Sequence, residues 1–359
     1  MIFRQLFDRE SCTYTYIVAD EQSREGVIID PVFEHHRRDL ALIRELDLKL
    51  LWCLDTHCHA DHVTGAWLIR GATACRYGLA AVNKAQGVDE ELKDGDRLPF
   101  GAGTVEAVAT PGHTNGCLSF KIDAGKMIFT GDALLIRGTG RTDFQSGSAR
   151  ELFHSIRSRL FTLDDDYQVW PGHDYSGRCM STIGEEKAFN PRLGGNANEN
   201  DYVRLMENLN LPHPKKIAEA LPANLKSGRP AFTSEEEPRW APLVFTYAGI
   251  PQVDPEWVAT RAGSVQIVDV RDPAELNGGL SAIPDAVNIP LHELRERAGE
   301  LDAARPTVLI CRSGRRSAQG VNMLKQLGFG QVANIKDGML AWNELTLPTV
   351  APVDRDASM

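Results

Sequence analysis

From Tyr14 to about Val32 the chain alternates apolar and polar positions and then turns apolar: Tyr-Thr-Tyr-Ile-Val-Ala-Asp, later Gly-Val-Ile-Ile-Asp-Pro. This predicts two short strands broken by a charged turn over 20–25. Leu40, Ile43 and Leu46 recur at helical spacing between Arg38 and Leu48, and Leu50-Leu51-Trp52-Cys53-Leu54 reads as a buried strand. Strand, helix, strand is the beginning of an α/β layered domain. Further strands are predicted over 104–109, 117–122, 126–129 and 168–170, with a helix over 149–160.

Between Lys226 and Trp257 the periodicity breaks down, with Pro230, Pro238, Pro242, Pro251 and Pro255 around the acidic run Glu235-Glu236-Glu237. Repeated prolines prevent regular helix and stiffen an extended chain, so an interdomain connection is predicted there. A second, smaller α/β pattern follows: a strand over 265–270, another over 306–311 and a helix over 317–327. The expected organisation is a first domain over 1–228, a linker over 229–255 and a second domain over 256–359.

Composition narrows the function classes. The 359 residues carry 39 Lys and Arg against 49 Asp and Glu, a formal charge of −10, which argues against general affinity for nucleic acid or anionic membrane. The first ten residues bear charges where a signal peptide needs an apolar stretch, and no apolar run approaches the ~20 residues of a membrane span. A soluble, cytoplasmic protein is expected. Its 7 cysteines lie at irregular spacing without a CxxC pair, which fits free thiols in a reducing compartment. There is no GxGxxG, GxxxxGK[ST] or GxSxG, so nucleotide and serine-hydrolase chemistry lack a motif.

Directly after the 50–54 strand stands Thr56-His57-Cys58-His59-Ala60-Asp61-His62. A polar surface loop would explain one such pair of histidines, but three more segments each place a metal-ligand type immediately after an apolar run. They are Thr110-Pro111-Gly112-His113-Thr114, Phe129-Thr130-Gly131-Asp132 and Trp170-Pro171-Gly172-His173-Asp174. Loops that follow strands gather on one edge of an α/β sheet, so His57, His59, Asp61, His62, His113, Asp132 and His173 are predicted to converge on metal. Either iron or zinc suits these donors.

These four motifs resemble those of the metallo-β-lactamase superfamily, which implies an αβ/βα sandwich. Gly138-Thr139-Gly140-Arg141-Thr142-Asp143-Phe144, Gly172-His173-Asp174-Tyr175, Asn190-Pro191-Arg192 and Asn208-Leu209-Asn210-Leu211-Pro212 further resemble its persulfide dioxygenase branch. That resemblance implies one Fe(II) per domain held by His57, His113 and Asp132, with His59, Asp61, His62 and His173 as outer groups or alternative ligands of a second metal. Two histidines and one carboxylate on one face leave open positions, as non-haem iron oxygenases require. Glutathione carries two carboxylates; Arg141 and Tyr175, then Thr139 and Lys215, are the expected contacts.

In the second pattern, Val308-Leu309-Ile310 leads into Cys311-Arg312-Ser313-Gly314-Arg315-Arg316-Ser317. A thiol facing loop amides and a helix start, among arginines, has its pKa lowered and becomes a nucleophile. A phosphatase loop shares this design, but Ile310 stands where that signature has His. Residues 267–272, 283–290 and 337–342 resemble the rhodanese family, with the departure that Gly278-Gly279-Leu280 replaces a common Gly-His-Ile. The resemblance implies a smaller α/β rhodanese domain in which Cys311 carries sulfane sulfur between thiosulfate and glutathione and the 312–317 loop binds anions.

The expected activity is therefore bifunctional: oxidation of glutathione persulfide by O2 to sulfite and glutathione, and sulfur transfer from thiosulfate. A glyoxalase II-like binuclear thioesterase acting on acyl-glutathione is one alternative, and a sulfur carrier or redox sensor is another. The expected partners are glutathione persulfide, glutathione, O2, thiosulfate and sulfite; homo-oligomerisation, the direction of sulfur transfer and channelling between domains stay open.

Overall fold

Alternation along the early strands decides the layering. In Glu25–Ile29, Val27 and Ile29 point into a core shared with a second sheet while Ile28 points the other way, as the two-residue period of a strand requires. The computed structural model describes residues 1–209, 211–212, 214–230 and 240–350, in two compact units, Met1–Phe232 and Thr233–Met359. Asn210, the acidic run 235–237 and Pro238 lie outside the described residues.

The first unit holds two six-stranded sheets in sequence order. One comprises β1 (Ile2–Phe7), β2 (Tyr14–Ala19), β3 (Glu25–Ile29), β4 (Lys49–Leu54), β5 (Arg76–Ala80) and β6 (Glu90–Leu92). The other comprises β7 (Arg97–Phe100), β8 (Gly103–Ala109), β9 (Leu118–Ile122), β10 (Met127–Gly131), β11 (Gln168–Pro171) and β12 (Ser181–Thr182). Tyr16, Val18, Trp52 and Leu54 from the first face Phe100, Phe120, Phe129 and Trp170 from the second in one buried cluster. Outside the first sheet the helices His36–Glu45 and Ala66–Thr73 cover Ile17, Ile28 and Cys53; outside the second, Ala149–Ser155 and Glu199–Glu207 cover Ile128 and Val169. This is the αβ/βα sandwich. The helix expected over 149–160 changes character: after Ser155 the turn Ile156–Leu160 is π-helical, ending with the Phe161 amide donating to the Ile156 carbonyl at 2.8 Å.

The second unit is a six-stranded sheet of β13 (Val244–Phe245), β14 (Pro251–Val253), β15 (Gln266–Asp269), β16 (Val287–Asn288), β17 (Thr307–Ile310) and β18 (Val332–Ile335), ordered β13-β14-β18-β17-β15-β16. All its pairings are parallel except β13 with β14. Leu309 and Val268 pack under the helix Arg315–Gln326, and Val308 and Ile310 under Gly338–Glu344, so the central strands are apolar on both faces. Here the expected linker is corrected. Residues 244–245 and 251–253 are strands of this sheet, because Pro251 stands at a strand start where no ladder donor is needed and Val253 is buried beside Ile335. Among the described residues no helix is long and apolar enough to cross a membrane, and all seven cysteines are free.

Candidate active site and metal centre

Every ligand-type residue singled out in the first unit stands in a loop at the C-terminal end of a strand: His57, His59, Asp61 and His62 after β4, His113 after β8, Asp132 after β10 and His173 after β11. Gly131 makes the turn into Asp132 with φ +49°, and a Cβ there would meet the Thr56 side chain at 2.5 Å, so only glycine lets the two loops approach. His57, His113 and Asp132 are buried and offer one donor atom each within 4.8 Å of one another.

The partners of the other ring nitrogens fix which atoms face inward. Thr56 Oγ1 donates to Asp30 Oδ2 at 2.9 Å, so the Nδ1–H of His57 donates to that hydroxyl at 3.0 Å and its Nε2 stays bare. His113 donates from Nδ1 to the Arg141 carbonyl at 2.6 Å, leaving Nε2 3.6 Å from Asp132 Oδ2. Asp132 Oδ1 accepts from His173 Nδ1 at 2.6 Å. Two bare imidazole nitrogens and one carboxylate oxygen, each held by an outer hydrogen bond, fit a divalent metal ion. Electrostatics agree. Burial, then the neighbouring His59 and His113, push His57 well below the usual histidine range and keep it neutral. Burial alone would raise Asp132, but His173, His113 and His57 hold it well below the carboxylate range.

The outer groups form a second cluster. His59, Asp61 and His62 also offer donors within 4.8 Å of one another, and His59 Nδ1 and His62 Nε2 are buried without a hydrogen-bond partner among the described residues. Asp61 Oδ2 accepts from His62 Nδ1 at 2.9 Å and His173 Nε2 at 3.0 Å. Burial opposes the charge on His59, but Asp30, 3.1 Å from its Nε2, brings the ring up to about 9. Asp30 and Thr13, whose hydroxyl touches Asp61, His62 and His173, were not singled out from sequence. An isolated Asp or Thr at a strand end carries no chemical signal until neighbouring loops meet it.

A cavity of about 650 Å³ opens onto His57, His113, Asp132 and His173. Thr139, Arg141, Tyr175 and Lys215 all line it, in unequal states. Tyr175 is 73% exposed and stacks on His173 with ring centroids 6.0 Å apart. Thr139 is buried, its hydroxyl taken by Tyr202 at 3.0 Å and Arg192 at 3.2 Å. The Arg141 guanidinium is bound to Asp143 and to the carbonyls of Leu211 and Pro212, so it shapes a wall of the cavity. Arg178, Arg192 and Lys216 also line the cavity and were not anticipated; the signal for Arg178 was its i+4 spacing from Asp174, with which it pairs at 2.8 Å.

In the second unit Cys311 follows β17 and is 1% exposed. The Ser317 hydroxyl donates to its sulfur at 3.3 Å, and the amides of Ser313, Arg316 and Ser317 face it. Burial would raise the thiol, but these donors hold it below the usual range. Gly314 turns the loop with φ +83°. Arg316 is bound to Glu275 at 2.5 and 2.8 Å, whereas Arg312 and Arg315 are exposed.

Comparison with known proteins matches the metallo-beta-lactamase superfamily over residues 8–173 and a rhodanese-like domain over residues 254–345. The chain is 48% identical over 229 residues to the mitochondrial persulfide dioxygenase ETHE1 of Homo sapiens and 47% to that of Bos taurus; each match spans 64% of this chain and 89% of the relative. The crystal structure of ETHE1 from Myxococcus xanthus is 48% identical with a TM-score of 0.61, covering 64% of this chain and all of that one. A metallo-beta-lactamase structure from Staphylococcus aureus, 21% identical with a TM-score of 0.59, shares the fold over 94% of this chain and 98% of its own. The chain belongs to the persulfide dioxygenase family of the metallo-β-lactamase superfamily and carries a rhodanese-like domain after it.

Proposed function

We propose that the first unit oxidises glutathione persulfide with O2 and water to sulfite and glutathione, using one Fe(II) held by His57, His113 and Asp132. The observation that carries this reading is the pair of anchored imidazoles whose bare Nε2 atoms converge with Asp132 Oδ2 at the floor of a cation-lined cavity. Bound there, ferrous iron supplies the O2 chemistry that no side chain provides. His173 holds Asp132 in orientation from Nδ1, and Asp61 fixes His173 in turn. Tyr175, Arg178 and Lys215 at the cavity wall meet the glutathione carboxylates, while Thr139 and Arg141 keep the wall in shape.

In the second unit, the Cys311 thiolate attacks the outer sulfur of thiosulfate. The S–S bond to the sulfonate breaks, sulfite leaves with the electron pair, and Cys311 keeps the sulfur as a persulfide. A glutathione thiolate then attacks that sulfur, forming glutathione persulfide and returning the Cys311 thiolate. The amides of Ser313, Arg316 and Ser317 stabilise the anionic sulfur, and Arg312 and Arg315 attract the anionic substrates. The reading places both units in sulfur metabolism in a reducing compartment.

The test is O2 uptake with glutathione persulfide after anaerobic iron loading, alongside acyl-glutathione hydrolysis on the same sample. O2 uptake without hydrolysis is expected. The His59, Asp61 and His62 cluster favours the binuclear thioesterase as the second reading; hydrolysis without O2 uptake would establish it, and no turnover in either unit would leave the carrier or sensor.

A further inference from the structure

The last helix of the first unit, Ile217–Asn224, ends against the backbone of the loop that carries His57, His59, Asp61 and His62. Asn224 is 2% exposed and engages its whole carboxamide there. Its Nδ2 donates to the carbonyls of His59 and His62, each at 2.9 Å, and its Oδ1 accepts from the Thr64 amide at 2.9 Å. No backbone amide among the described residues reaches either carbonyl, although His59 and His62 are buried, so both acceptors depend on Asn224. Among side chains of this size only Asn offers two donors and an acceptor in one plane; an ionised Asp has no donor at all. The turn after the helix seals the contact. Ser227 and Gly228 take left-handed φ of +60° and +68°, and a Cβ on Gly228 would stand 2.2 Å from the Thr64 carbonyl oxygen. Ser227 Oγ donates to the Gln86 carbonyl at 2.5 Å.

What Asn224 fixes reaches the metal centre. Asp61 lies inside the turn from His59 to Thr64 and accepts from His173 Nε2 at 3.0 Å, and His173 Nδ1 donates to Asp132 Oδ1 at 2.6 Å. His57 stands two residues before His59 on the same loop. We propose that Asn224 is a positioning residue for the proposed oxidation: its carboxamide sets the turn over 59–64, and through it the direction of Asp61, of His173 and of the proposed ligand Asp132. Metal donors act only when held close to their productive geometry, and a polar loop whose carbonyls lack backbone partners does not hold itself. Asn224 is not among the residues that line the cavity, so it acts through the loop backbone and not on substrate. It also stands outside residues 8–173, the stretch matched to the superfamily, so a segment beyond that match completes the metal centre of this chain.

This inference rests on the reading of His57, His113 and Asp132 as iron ligands in persulfide oxidation, and one set of measurements separates the two. Ferrous affinity is measured by chelator competition on the full chain and its Asn224→Ala, Asn224→Asp and Ser227→Ala variants. The same proteins are compared for kcat and KM with glutathione persulfide at saturating iron, and for the ring ¹⁵N signals of His173 in the metal-free state. Asn224→Asp keeps the acceptor for Thr64 but turns an oxygen on the two carbonyls, whereas Ser227→Ala frees the same segment from Gln86 and leaves the 59–64 turn bonded. We expect iron affinity about 10- to 100-fold weaker in both Asn224 variants, a lowered kcat at unchanged KM and displaced His173 signals, with Ser227→Ala like the wild type in all three. Wild-type affinity in either Asn224 variant, an equal loss in Ser227→Ala, unmoved His173 signals, a change confined to KM, or failure of both Asn224 variants to fold would each overturn the positioning role alone. A wild-type chain that binds iron but takes up no O2 with glutathione persulfide overturns the functional reading, while the affinity and His173 measurements still decide what Asn224 does at the metal centre. A wild-type chain that binds no ferrous iron overturns both.

Discussion

His113 Nδ1 donates to the backbone carbonyl of Arg141 at 2.6 Å, so a loop outside the metal-binding motifs sets the direction of a proposed ligand. That loop passes so near the centre that a Cβ on Gly140 would stand 2.3 Å from the Asp132 carbonyl oxygen and 3.0 Å from His113 Cγ. Gly140→Ala should therefore displace both residues and weaken iron binding by about 10- to 100-fold, the range found when groups that orient metal ligands are disturbed. Chelator competition on the folded protein measures it; wild-type affinity would show that the loop yields without moving His113.

Arg141 also closes the cavity wall through the Leu211 and Pro212 carbonyls. Bonds of a charged donor are each worth about 1.5–3 kcal/mol. Arg141→Met should free the wall, raise KM for glutathione persulfide about 10-fold and leave iron content unchanged. Steady-state O2 uptake decides the point, because a change confined to kcat would place Arg141 at the reacting atoms instead.

Cys311 depends on donors that a single substitution can remove. Cys311→Ser should abolish sulfur transfer from thiosulfate while O2 uptake on added glutathione persulfide persists. Ser317→Ala removes the hydroxyl 3.3 Å from the sulfur and should shift the pH profile of iodoacetamide alkylation upward. An unshifted profile would assign the low thiol pKa to the loop amides alone.

Asp39, on the helix His36–Glu45, is fully buried with one oxygen 2.8 Å from Arg38 Nε and the other without a partner among the described residues. Burial raises its carboxyl to about 6, against the opposing charge of Arg38. The folded chain thus holds this proton more tightly than the unfolded chain, whose Asp titrates near 3.8. Stability is favoured below that value and falls as pH rises from about 4 to about 6. Asp39→Asn should stabilise the first unit by about 1–3 kcal/mol at pH 7, with the gain vanishing near pH 4. Thermal unfolding at both pH values tests this; a loss at pH 7 would mean that the ion pair with Arg38 outweighs desolvation.

The candidate reactive groups of both units were legible because their pattern is written locally. A loop such as Thr56 to His62 concentrates costly polar groups after an apolar strand, and the Cys311 loop joins a buried strand to a helix start; each pattern has meaning before any contact is known. The strands β2, β3, β4, β15 and β17 were legible for the same reason, since burial imposes alternation or an apolar run. By contrast β14 was hidden by Pro251, because a three-residue strand is stabilised by its neighbour β18 and not by its own pattern. The same limit concealed Thr13 and Asp30, and it made Arg141 and Thr139 look like free substrate contacts when the fold had already committed their polar atoms. The sequence by itself determined which reactive groups exist and that they sit at strand ends, because local backbone geometry and hydrophobic burial act over a few residues. Which nitrogen of each histidine is bare and which cations remain available were settled by the packed fold. Those outcomes depend on hydrogen bonds between loops more than a hundred residues apart, such as Thr13 with His173.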